Sequence, residues 1–108
     1  MALPRVVPGQ LVTSRAGRDE GQAYLVLRVL DESFVLVADG AKRPLAKPKR
    51  KNIRHLNVYP MVAVQLRKGF ESTGKQPRDE EIRHTLATMC EQLWGEQMER
   101  ESEREDRS

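Results

Sequence analysis

Residues 9–39 read GQLVTSRAGRDEGQAYLVLRVLDESFVLVAD, and this stretch decides the fold. Apolar residues alternate with polar ones in short runs, and each run is broken by a cluster of Gly, Asp, Glu or Ser. Residues 10–15 read as a first strand and residues 16–21 as a charged, glycine-bounded loop. Residues 22–30 form a second strand, which places Leu25, Leu27 and Val29 on one face; that face is taken as the core side. A polar Asp31-Glu32 connection then leads into residues 33–38, rich in β-branched and aromatic side chains and too short for a typical helix. These two strands are expected to pair as a hairpin.

Outward from this stretch, Asp39-Gly40 is a strong turn signal, and the shorter segments 43–46 and 52–56 can close the sheet. Five short strands in about fifty residues suggest a small barrel. Gly9, Gly17, Gly21 and Gly40 are candidate structural turn positions. Between residues 58 and 77, Val62, Val64 and Leu66 alternate like a strand while Gly69, Gly74 and Pro77 punctuate like a linker, so a weak strand and a loop are expected. The period then changes. Ile82, Leu86, Met89 and Leu93 fall at steps of four, three and four, with Cys90 and Trp94 beside them, which describes an amphipathic helix. Pro77 suits its entry, Asp79, Glu80 and Glu81 complement the positive end of its dipole, and Gly95 is expected to end it.

The expected organisation is therefore mainly β: a barrel over residues 1–58, a weak strand and linker over 59–77, an amphipathic helix over 78–95, and a charged, flexible tail over 96–108 that is either a frayed helical extension or disordered. The helix needs an apolar partner, because a lone helix of this length is marginal in water. Its own barrel is one possibility. Another protein, or a second copy bound through Ile82, Leu86, Met89 and Leu93, is the other.

Residues 8–40 resemble a KOW motif: Pro-Gly-Gln-Leu-Val, the charged loop Gly-Arg-Asp-Glu-Gly, an apolar strand, a short turn, and Phe-Val-Leu-Val-Ala-Asp-Gly. The continuation Lys-Pro-Lys-Arg-Lys-Asn-Ile-Arg-His-Leu at 47–56 is similar to bacterial KOW-domain RNA-binding proteins related to archaeal and eukaryotic large-subunit ribosomal proteins. The resemblance implies an SH3-like barrel in which Gly21 holds the motif's central turn, and in which the preceding loop, with Arg15 and Arg18, faces RNA. It also implies a ribosomal RNA partner.

Charge supports this direction independently. The 108-residue chain has a formal net charge of +3, but residues 1–78 carry an excess of nine basic side chains and residues 79–108 an excess of six acidic ones. No acidic residue lies between Gly40 and Phe70, whereas Lys42, Arg43, Lys47, Lys49, Arg50, Lys51 and Arg54 follow one another there. Clustered cations that neutralise phosphates also release condensed counterions, so they supply affinity that falls steeply with salt. Arg15, Arg18, Lys42, Arg43, Lys47, Lys49, Arg50, Lys51 and Arg54 are accordingly the candidate RNA contacts, with Lys49, Arg50, Lys51, Arg54, Arg15 and Arg18 expected to share one face. The acidic tail is a candidate electrostatic screen for that face. With aromatic residues at 5%, a platform for unstacked single strands is not expected, and folded RNA recognised by backbone and shape fits better.

No catalytic chemistry is legible. His55 and His84 lack neighbouring ligands at metal-binding spacing, and Cys90 has no nearby His to activate it. The glycines lack the Lys-Ser or Lys-Thr of a phosphate loop. Neither enzyme activity, nor a cofactor, nor a metal is expected. A single cysteine and no secretory leader pattern point to a cytoplasmic protein, and no apolar run approaches the roughly 20 residues needed to span a bilayer. A rival reading makes the barrel and helix a protein-interaction adaptor in transcription or translation.

Overall fold

The computed structural model describes residues 6–71 and 77–106, with side chains for 6–70 and 77–95. Strands β1 (Gln10–Ser14), β2 (Ala23–Val29), β3 (Phe34–Ala38), β4 (Lys49–Asn52) and β5 (Leu56–Val62) form one antiparallel sheet in the order β4-β3-β2-β1-β5. Two helices follow, α1 (Val64–Glu71) and α2 (Asp79–Asp106). The fold is mainly β with a C-terminal helix, as the alternation and the later change of period predict.

The connection between β4 and β5 shows that the sheet curls. These strands occupy opposite edges of the sheet, which lie about 19 Å apart in a flat five-stranded arrangement. Only the 3-10 turn Ile53–His55 joins them, and such a turn rises about 2 Å per residue. The edges must therefore approach each other, and the sheet wraps round an interior. Val12, Tyr24, Val26, Val35, Val37, Ile53 and Leu56 fill that interior. A break in register between Gln10 and Val12 on β1 accompanies the bend. Gln10 stabilises it, its side chain accepting from Val7 N at 3.0 Å and donating to the Tyr59 carbonyl at 3.0 Å.

The outer face of β1 and β2 is covered as well. Leu11 and Leu25 point away from the barrel interior and pack with Leu66 of α1 and Ile82, Leu86 and Met89 of α2. The core face expected for β2 is thus corrected: Tyr24 and Val26 fill the barrel, Leu25 lies under the helices, and Val29 is exposed. A strand buried on both sides cannot reveal its inward face by alternation alone. The apolar stripe Ile82, Leu86, Met89 and Leu93 packs against the chain's own sheet, the first of the two partners the sequence left open.

Boundaries also differ from the sequence reading. β5 pairs with β1 as far as Val62, past the expected barrel end at residue 58. Lys49–Asn52 supplies the fourth strand, and segment 43–46 is a loop. Val64–Glu71 is helical because Leu66 and Phe70, four apart, meet the same outer cluster. The linker residues 72–76 lie outside the described residues. α2 runs as one helix through Gly95, where an end was expected, to Asp106, so that of the two readings of the tail the helical extension is the one adopted. Past Gly95, Glu-Gln-Met-Glu-Arg-Glu are good helix formers.

Both helices dock on glycine turns. Gly9, Gly17, Gly21 and Gly40 all have positive φ, at 88°, 88°, 88° and 77°. At Gly40 the requirement is double, because a Cβ there would lie 2.3 Å from the Asp79 carbonyl oxygen at the start of α2. Asp79 Oδ1 also accepts from Leu45 N at 2.7 Å, and Arg83 donates to the Gly40 carbonyl. These bonds tie the helix entry to the β3–β4 loop.

Candidate nucleic-acid interface

Alternation along β4 separates the basic run. Lys49 and Lys51 point to one side of the strand, towards the β1–β2 loop, and Arg50 to the other. There its guanidinium lies 4.0 Å from the Phe34 ring centroid, a cation–π contact that leaves Phe34 half-buried.

Lys51 is buried, and a buried ammonium needs a counter-charge. Asp19 supplies it from the β1–β2 loop. Asp19 Oδ1 accepts from Lys51 Nζ at 3.2 Å and from Ser14 Oγ at 2.8 Å. Asp19 Oδ2 accepts from Lys49 Nζ at 2.9 Å and from the Tyr24 hydroxyl at 2.7 Å. Lys51 Nζ also donates to Ser14 Oγ at 3.0 Å. Burial on its own raises the Asp19 carboxyl, but donors from Lys49, Tyr24, Ser14 and Lys51 more than offset that and hold it well below the ordinary carboxylate range. Tyr24 shifts the opposite way, pushed far up by burial and by the adjoining carboxylate.

Nine candidate RNA contacts therefore divide by environment. Arg18, Lys42, Arg43 and Lys49 border a cleft of about 650 Å³ between the β1–β2 and β3–β4 loops. Two carboxylates of that cleft are already engaged. Asp19 holds the lysines, and Asp39 accepts from Ala41 N and Arg43 N, each at 2.9 Å, and from Gln22 Nε2 at 3.2 Å. Glu20 lies on the rim. Lys47 is exposed in the turn leading to β4, and Arg54 is exposed on the 3-10 turn. Arg15 is exposed in a neighbouring cleft with Asn57, Tyr59 and Trp94. The six cations expected on one face are not brought together: Arg50 projects from the side of β4 opposite Lys49 and Lys51, and Lys51 is internal.

Asp19, Ser14 and Tyr24 escaped the sequence reading. One signal points to them. In Lys49-Arg50-Lys51-Asn52-Ile53, the apolar Ile53 shares its parity with both lysines, so an inward Ile implies inward lysines and a carboxylate to meet them. Asp19 and Glu20 are the acidic residues of the facing loop.

Among the described residues no group of His, Cys, Asp and Glu is placed to hold a metal, and no helix is long and apolar enough to cross a membrane. His55 and His84 are both exposed. Burial pushes the half-buried Cys90 thiol up, away from the thiolate a nucleophile needs.

A curled five-stranded sheet, a cleft edged by Arg and Lys, and a helix laid over the outer face define a small basic β-domain. No family model matches the chain. It is 37% identical over 67 residues to the "Putative ribosome-binding protein YbzG" of Bacillus subtilis, a match that covers 62% of this chain and 90% of that protein. The chain belongs to the family of that protein. It is also similar to the large ribosomal subunit protein eL14 of two archaea: 28% identical over 86 residues in Hyperthermus butylicus, covering 78% of each chain, and 25% over 85 residues in Staphylothermus marinus, covering 79% of this chain and 80% of the other.

Proposed function

We propose that the chain is a ribosome-associated RNA-binding protein of the KOW type, which docks on folded RNA, most directly ribosomal RNA of the large subunit, through the cationic cleft. The observation that carries this reading is the meeting of Arg18, from one loop, with Lys42 and Arg43, from another, and Lys49, from the start of β4. Kinship with a protein named for ribosome binding and likeness to eL14 support the partner. Arg18, Lys42, Arg43 and Lys47 make the principal phosphate contacts, Lys49 contributes from its bond to Asp19, and Arg15, Arg50 and Arg54 extend the surface on either side. Lys51 serves instead to hold the β1–β2 loop in its binding position. Such contacts fix register on the RNA backbone, with selectivity drawn from shape. The reading places the protein in the cytoplasm and involves no catalysis.

The triple variant Arg18→Glu, Lys42→Glu, Arg43→Glu alters exposed or loop positions and leaves the Asp19 network intact. It is expected to weaken association with large ribosomal subunits and to flatten the salt dependence, by about 0.7–0.9 in log K against log salt for each phosphate no longer neutralised. Wild-type affinity in the folded variant rejects the assignment. A second reading, the protein adaptor, draws on the apolar groove between α1 and α2, where Val64 is 57% exposed. Capture of a ribosomal protein that persists at high salt, with no RNA bound, favours the adaptor.

A further inference from the structure

We propose that the cleft between the β1–β2 loop, β5 and α2 is a seat for a single unstacked RNA base. This rests on the RNA-binding reading above and adds which part of the RNA is taken. The cleft, about 420 Å³, shares Glu20 and Gly21 with the cationic cleft. A backbone held at Arg18, Lys42 and Arg43 therefore passes beside it.

Its walls carry the chemistry a base requires. Tyr59 and Trp94 stand edge to face, with centroids 5.4 Å apart and planes at 84°. In that arrangement the ring offering its edge keeps both its faces clear of its partner, and every base has a π-face to lay against such a surface. Both rings are half-buried, so they are anchored yet reachable. The Tyr59 hydroxyl is held by Thr13 Oγ1 at 3.1 Å, which restrains the pair. Around the rings, Arg15 and Asn57 are exposed. Asn57 Nδ2 donates to Thr13 Oγ1 at 3.3 Å, which leaves its second amide hydrogen and its carbonyl to read a base edge. Glu20 on the shared rim is an acceptor for base amino groups. A continuous duplex offers no free base, whereas loops and bulges of folded RNA do.

Trp94 is the chain's single tryptophan, so its emission reports on this cleft alone. The full chain is titrated with a labelled hairpin carrying an unpaired loop and, separately, with a blunt duplex of equal length; anisotropy follows binding and tryptophan emission follows the cleft. The hairpin is expected to quench Trp94 and the duplex to bind without quenching. Trp94→Ala is expected to weaken hairpin binding about tenfold, the size of one lost base stack. Asn57→Ala, on an exposed position, is expected to weaken the hairpin and spare the duplex. If the hairpin binds with Trp94 unchanged, or the duplex quenches equally, the base seat is overturned while RNA binding stands. If neither RNA binds, both fail.

Discussion

Replacing Asp19 with alanine tests the arrangement on which the proposed interface depends. The change removes an acceptor of four side-chain hydrogen bonds, from Ser14, Tyr24, Lys49 and Lys51. The consequences for the two lysines differ. Lys49 has 29% of its side chain exposed and can turn to water, whereas Lys51, at 9%, keeps only Ser14. The Lys51 ammonium thus dominates the cost, and breaking a buried pair from one side costs about 3–5 kcal/mol. The lower end, about 3 kcal/mol, is expected, since Asp19 is 16% exposed and water reaches the site. With a urea m value of about 1.5 kcal/mol/M, the unfolding midpoint falls by about 2 M. Adding Lys51→Met to Asp19→Ala removes the orphaned charge and is expected to restore most of the stability. A drop below about 1 kcal/mol, the range of exposed ion pairs, refutes the reasoning, because it means that Lys51 is already solvated. The acid side gives a second reading. Since the folded Asp19 carboxyl titrates below its unfolded value of about 3.9, its stabilisation is complete above that value and is lost as the pH falls through the folded one. The advantage of the wild type over Asp19→Asn is therefore expected to shrink only in acid.

Gly40→Ala is expected to cost about 2 kcal/mol, or roughly 10 °C in Tm, because it combines a positive φ with a clash against the first turn of α2. Gly21→Ala meets nothing within 4 Å and carries the backbone penalty alone; equal losses at the two sites would show that α2 does not approach so closely. Tyr24 is expected to ionise far above the ordinary tyrosine value of about 10. Its contribution to stability is present below that value and lost as the pH rises through the folded one. An alkaline absorbance titration should show a late phase that coincides with unfolding and vanishes in Tyr24→Phe, and ionisation of Tyr24 near 10 in the folded protein would contradict the network.

Local signals carried the β architecture. Alternation from Gly9 to Asp39, the Asp39-Gly40 turn and the change to helical period after Pro77 depend on neighbours within a few residues, so β1, β2, β3, the hairpin and the start of α2 were legible from the chain alone. The concentration of cations between Gly40 and Phe70 was legible for the same reason. Their disposition was not. Whether a lysine on a short strand faces solvent or a carboxylate depends on which way the sheet curls, and only closure through Ile53–His55 turned Lys49 and Lys51 towards Asp19 and left Arg50 over Phe34. Helix α1 was hidden because Val62, Val64 and Leu66 alternate as a strand does, while Leu66 and Phe70 offer a single helical pair. The surface of Leu11 and Leu25 that it helps to cover exists only once the sheet has formed. Sequence determined which elements form and how much positive charge they carry; tertiary structure decided which charges are internal, because burial and pairing belong to surfaces assembled from residues distant along the chain.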